Sequence, residues 1–228
     1  MIKAETAKAS LGAALPIMAG YMVLGIPCGI LASQTGLNAL QVLMMSLLFY
    51  SGAGQYMIAN MWLAGIPPLS IVASVSLVNT RQMLYGASLS RFSGVGKKRL
   101  SFLFAATVTD ESFGINLDRF EKGDWSLVNA TLVNLFSQTS WTLANVIGVV
   151  AGAVLSIPAA VASFAMTAIF ICLLFSQKAT MANVVAGIAA AVGVVVCKLV
   201  GLSGPAIFIG AVFGIIMAFA LSEVQKRQ

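Results

Sequence analysis

The sequence predicts an all-α polytopic membrane protein with about eight hydrophobic helical segments, some of them broken or re-entrant. Three observations carry that prediction. Of the 228 residues, 59% are hydrophobic and only 9% charged, and mean hydropathy is +0.96, far outside soluble norms. The apolar residues fall into stretches of about 20, enough to cross a hydrocarbon core of about 30 Å. No polar segment between them is long enough to fold alone.

The segments fall near 11–32, 38–64, 68–90, 100–117, 126–155, 158–176, 180–200 and 203–222. The first is too long for a signal-peptide core and no small-residue cleavage site follows it, so it reads as a retained helix. Pro16 and Pro27 within it are expected to kink it. The second is interrupted by Ser51-Gly-Ala-Gly-Gln55, which an ordinary spanning helix does not need. The third carries Arg81 and the fourth Asp110-Glu111, all three inside otherwise apolar runs. The fifth carries Gln138, Ser140, Trp141 and Asn145 about one turn apart.

Composition also excludes several function classes. There is no histidine, which removes His-based triads, imidazole metal sites and a histidine proton switch. Cys28, Cys172 and Cys197 are scattered through apolar runs without metal-like spacing. No cofactor and no metal is therefore expected. The net charge of +6 sits mostly in loops and does not interleave with aromatics, which argues against nucleic-acid binding.

Positive-inside counting chooses between topologies. Loop 91–99, RFSGVGKKR, has four positive charges and no negative ones; loop 118–125, DRFEKGDW, has two positive and three negative. Eight simple crossings leave about 7 Lys/Arg inside against 4 or 5 outside. Segment 38–64 instead enters and leaves on one face, and 158–176 does something similar, in a better arrangement. Roughly 9 Lys/Arg are then cytoplasmic, Arg119 and Lys122 stay outside, and both termini are cytoplasmic.

The chain is expected to form a single integral membrane domain over 1–228, with candidate repeat halves 11–117 and 126–222. VLGIPCGILAS (23–33) aligns with VIGVVAGAVLS (146–156), and a true repeat would start its halves on opposite faces, as in secondary transporters.

Charges at membrane depth cost about 2.5 kcal/mol or more each unless paired or facing water. Arg81 lies ten residues before Arg91, and Asp110 eleven after Arg99. At 1.5 Å per residue both fall about 15–16 Å from the cytoplasmic boundary, at the midplane. An antiparallel hairpin would set Arg81 against Asp110 or Glu111, either as a substrate or proton site or as a structural ion pair. The two acids point about 100° apart on a helix. Only one faces Arg81 squarely, and the other is left to hold a proton or bind an amine.

At the SGAGQ break, unwound backbone is tolerated only where it lines a cavity or binds a ligand. A half-helix starting near Gly54-Gln55 would aim its positive end at the centre, where it suits a carboxylate. The competing reading is close packing through Ser51, Gly52 and Gly54. Trp141 and Asn145 either complete a cavity wall or hydrogen-bond neighbouring helices.

Taken together these stretches resemble the AzlC family of branched-chain amino acid permeases. The matching pieces are YSGAGQYMI (50–58), the N-x-R-x-x-L-Y-G-x-S-L pattern of 79–89 with Asn79, Arg81 and Tyr85, TDESF (109–113), and SW followed by VIGVVAG (140–152). The resemblance departs at Asn79, where some related sequences carry an acid. It implies export of valine, leucine or isoleucine across the bacterial inner membrane, and a separate small membrane subunit of the AzlD type. No Walker A pattern is present, so secondary transport is expected, with Asp110 and Glu111 as the proton-coupling groups. A zwitterion needs an anion for its amine, a cation or helix N-terminus for its carboxylate, and an apolar pocket. The rival classes are a channel or a transporter of another solute, an intramembrane enzyme using Asp110 or Glu111, and a scaffold subunit that does not itself transport.

Overall fold

A computed structural model describes residues 3–92, 98–154, 158–176, 180–202 and 206–226. Apart from a short 3-10 helix at Ser90–Phe92, its regular elements are α-helices: α1 Ala4–Gln34, α2 Ala39–Leu48, α3 Gly52–Leu63, α4 Pro68–Leu89, α5 Lys98–Thr107, α6 Asp110–Glu121, α7 Leu127–Val154, α8 Ala159–Ser176, α9 Met181–Leu199 and α10 Ala206–Lys226. No strand occurs among the described residues. Of these helices, α1 and α9 are both long and apolar enough to cross a bilayer. Large apolar side chains such as Leu48 and Phe102 stand exposed on the outer surface, as lipid contact allows. The chain divides into two units.

The first unit comprises Met1–Asn60 and Val78–Ala165. Its spine is α1 packed along α7. Glycine makes that contact possible. A Cβ on Gly29 would lie 2.0 Å from the Asn145 carbonyl oxygen, and one on Gly148 would lie 2.1 Å from that of Ile26. Any side chain there would push the helices apart. The two helices run parallel, because their contacts advance together. Asn129 donates to the Thr6 carbonyl and Ser10 hydroxyl, Ser140 donates to the Met18 carbonyl, and Gly152 meets Ser33. The shared glycine spacing of 23–33 and 146–156 is what this crossing requires of both partners. An inverted pair of halves at that offset would set α1 and α7 antiparallel. α1 itself continues as one helix through Pro16 and Pro27.

Segment 38–64 is broken at Phe49–Ser51, and α3 starts at Gly52 rather than at Gly54-Gln55. Asn38 opens α2 with a reciprocal capping box to Gln41. α2 starts against Ala32 and Val149, near the C-terminal ends of α1 and α7. It descends until Gln138 reaches the carbonyls of Ser46 and Leu47. Beyond the break the chain turns back. Tyr56 donates to the Leu24 carbonyl, and Asn60 accepts from Ser163 in the second turn of α8, beyond the end of α7.

Segment 100–117, expected as one helix, is a second hairpin. α5 ends at Thr107 and α6 begins at Asp110. The reason is local. The Thr109 hydroxyl accepts from the Ser112 N–H, and the Ser112 hydroxyl accepts from the Thr109 N–H. This reciprocal cap starts a new helix, and its first turn welcomes Asp110 and Glu111. Both legs flank Asn134, which bonds Phe104 and Thr107 of α5 and Asn116 of α6. The hairpin ends meet where Arg91 pairs with Glu121 at 3.2 Å and Phe92 stacks on Phe120 at 4.7 Å. Loop 118–125 therefore lies beside Arg91, not on the opposite face from it. Residues 93–97 of the basic loop fall outside the described residues. Segment 158–176, where a second reversal was expected, is one unbroken helix.

The second unit comprises Met61–Leu77 and Met166–Gln228. In it α9 and α10 pack antiparallel through small residues. Added Cβ atoms on Gly210 and Gly214 would lie 2.7 and 2.6 Å from the carbonyls of Ala190 and Ala186.

Candidate functional site

The two breaks come together in the first unit, against α1, the second half of α4 and α7. At the first break the Ser51 hydroxyl accepts from the Gly54 N–H, capping α3, and donates to Asn79 Oδ1 at 2.7 Å. Gln55, almost fully buried, donates to the Phe49 carbonyl at 2.8 Å and accepts from Trp141 Nε1 at 3.0 Å. Gly52 lies on the face of the Trp141 ring, where a Cβ would come within 3.1 Å. A Cβ on Gly54 would lie 2.8 Å from the Phe49 ring and the Ser51 hydroxyl. Glycine is thus needed for close approach as well as for the break.

The charges gather at the second break. Arg81 Nη2 lies 3.0 Å from Asp110 Oδ2, with about a quarter and a fifth of the two side chains exposed. Tyr85 donates to Asp110 Oδ1, and its ring stacks on Phe113 at 4.5 Å. Both carboxylate oxygens of Asp110 are therefore engaged. Glu111, one residue on, is exposed, and no described cation pairs with it. It accepts from the Tyr21 hydroxyl at 2.6 Å. One arginine and two carboxylates leave the cluster with one excess negative charge when all are ionised. Arg81 Nε and the Tyr50 hydroxyl are buried without a hydrogen-bond partner.

The fold thus brings together Ser51, Gly52, Gly54, Gln55, Asn79, Arg81, Tyr85, Asp110, Glu111 and Trp141. Asn145 is set apart from the charges. It donates to the Trp141 carbonyl and packs on Gly25 and Gly29. Four residues enter the site unannounced by the sequence reading. Tyr21, of α1, touches Glu111 and Thr109 and packs edge-on against Tyr50 and Trp141 at 6.4 and 5.3 Å. Tyr50 adjoins the first break, Thr109 caps the second, and Gln82 donates to the Tyr50 carbonyl at 3.2 Å. The usable signal was Thr109-x-x-Ser112, a helix-start pattern inside an apolar run. Tyr50 stood only as the first residue of the YSGAGQYMI piece, and Tyr21 gave no signal, because a lone tyrosine in an apolar helix reads as bulk.

The N-terminus of α6 carries Asp110 and Glu111, that of α3 is linked to α4 through the Ser51–Asn79 bond, and Tyr21 bridges the two breaks through Tyr50, Thr109 and Glu111. The first N–H groups of each helix have no partner within the helix. No group of three or more potential metal-ligating side chains forms among the described residues.

A family model described as AzlC protein matches residues 16–155. The branched-chain amino acid transport protein AzlC of Bacillus subtilis is 32% identical over 169 residues, 72% of this chain and 64% of that protein. An uncharacterized membrane protein of Haemophilus influenzae is 32% identical over 174 residues, 73% of this chain and 69% of that protein. The inner membrane protein YgaZ of Escherichia coli is 30% identical over 141 residues, 60% of this chain and 58% of that protein. The match thus spans less than two thirds of the Bacillus protein's length. No solved structure matches the chain. The matched residues contain both breaks, Arg81, Asp110 and Trp141, and the chain belongs to the AzlC family.

Proposed function

We propose that this protein is a subunit of a secondary transporter that exports branched-chain amino acids across the bacterial inner membrane, coupled to protons. It would work with a small AzlD-type membrane subunit. The observation that carries this reading is the Arg81–Asp110 pair, held at 3.0 Å beside two broken-helix N-termini. Ion pairs at membrane depth mark substrate and ion pathways, and broken helices aim their N-termini at anionic substrate groups. In this reading the substrate carboxylate meets the α3 N-terminus and Arg81, and its amine meets the acidic start of α6. The similarity to a protein named for branched-chain amino acid transport supports the substrate class.

The topology that fits has six crossing helices, α1, α4 and α7 to α10, and two re-entrant hairpins entering from opposite faces. Lys3, Lys8, Arg91, Lys98, Arg99, Arg119 and Lys122 then share one face, and residues 33–41, 150–154 and 158–160 at the other carry no Lys or Arg. The positive-inside rule makes the charged face, with the N-terminus, cytoplasmic.

The test is labelled valine flux in proteoliposomes holding this protein and its small partner. Arg81→Gln and Asp110→Asn are each expected to abolish flux driven by a pH gradient. Unchanged flux in both would refute the site.

A further inference from the structure

The first break has two electrically different ends. The N-terminus of α3 carries partial positive charge and the C-terminus of α2 partial negative charge. In transporters with broken helices, unwound carbonyls at a negative end are where a dehydrated coupling cation is held. Here the carbonyls of Ser46, Leu47, Phe49 and Tyr50 each accept from a glutamine amide. Gln138 Nε2 lies 3.4 and 3.2 Å from the oxygens of Ser46 and Leu47. Gln55 Nε2 lies 2.8 Å from that of Phe49, and Gln82 Nε2 lies 3.2 Å from that of Tyr50. The Met45 carbonyl accepts from the Phe49 N–H at 2.8 Å. Chemistry fixes the orientation of Gln55. Trp141 Nε1 can only donate, so it takes the side-chain oxygen, which leaves the amide nitrogen for the Phe49 carbonyl.

The three glutamines come from three elements, α3, α4 and α7, and converge on one helix end. Satisfying a helix C-terminus takes only an αL residue or water, and neither brings neutral donors from three directions. We propose that Gln55, Gln82 and Gln138 occupy the carbonyl end of the break in place of a cation. No metal cation then couples to transport there, and only the N–H end faces ligand. The proposal rests on the transport reading for its consequence, but not for its test. Gln82 and Gln138 are positioning residues that clasp the hairpin tip to α4 and α7.

The test compares thermal unfolding of the full-length protein in lithium, sodium, potassium and choline chloride at equal ionic strength. Wild type is expected to unfold at one temperature in all four. Gln138→Glu, compared in alkaline buffer so that the carboxyl is ionised rather than protonated, puts a carboxylate against the Ser46 and Leu47 oxygens, where a bound cation relieves the repulsion. Its midpoint should drop by several degrees in choline and recover in sodium or lithium. A sodium-specific or potassium-specific rise in the wild-type midpoint would overturn the proposal. So would a Gln138→Glu protein whose midpoint is the same in choline and sodium. If Gln138→Glu does not fold, the wild-type comparison decides alone. No transport is measured, so a protein that carried some other solute would leave this result intact.

Discussion

The two hairpins solve one problem with opposite chemistry. Each must end a helix in the middle of an apolar surrounding and start another, leaving orphan N–H and C=O groups. At the first break the closing groups are neutral: the Ser51 hydroxyl, three glutamine amides and the Trp141 indole. At the second the cap is the Thr109–Ser112 pair, and the adjoining positions are charged. At the neutral break the Ser46, Leu47, Phe49 and Tyr50 carbonyls and the Gly54 N–H have uncharged partners. The charged one keeps an excess carboxylate. That difference teaches which hairpin shapes the site and which supplies its charge.

The largest expected effect breaks the charged side. Asp110→Asn leaves Arg81 without its anion, at a cost on the order of 3 kcal/mol for a pair this sheltered. Thermal unfolding should show the loss, and Arg81→Gln with Asp110→Asn should be more stable than Asp110→Asn alone. Next comes the neutral side. Trp141→Phe keeps most of the ring but takes the donor from buried Gln55, costing about 1–3 kcal/mol. Valine flux should fall less than in Asp110→Asn, which tests whether the neutral break acts by shape. The caps should be matched. Ser51→Ala and Thr109→Ala should each cost about 1 kcal/mol in denaturant unfolding. A much larger loss at only one would mean the breaks are not equivalent as helix starts. The smallest effect is at the hairpin mouth. Arg91 and Glu121 are more than half exposed, so Glu121→Gln should cost under about 1 kcal/mol, and less at high salt.

Much of this was legible in the sequence, for identifiable reasons. The first break was visible because Ser51-Gly-Ala-Gly-Gln55 violates helix composition in an apolar run. Arg81 and Asp110 were placed together because counting residues from the charged loops gave them the same depth. The second break was missed because Thr109, Asp110, Glu111 and Ser112 were weighed as charges in a helix, not as the start of one. That miss put loop 118–125 on the wrong side and shifted the second reversal to 158–176. The parallel course of α1 and α7 had no local signature, since the glycines that set it look alike in either direction. Tyr21 was invisible for a tertiary reason. Its partners Thr109 and Glu111 lie 88 and 90 residues away.

The central claim is that the chain reverses at both breaks. Single cysteines tested for labelling from each membrane face, in a protein without Cys28, Cys172 and Cys197, test it most directly. The informative positions are Arg91, Asp124, Asn38 and Ala64. Arg91→Cys and Asp124→Cys should label from one face, and Asn38→Cys and Ala64→Cys from the other. Labelling of Arg91→Cys and Asp124→Cys from opposite faces would mean that segment 98–121 crosses the membrane, which contradicts the account.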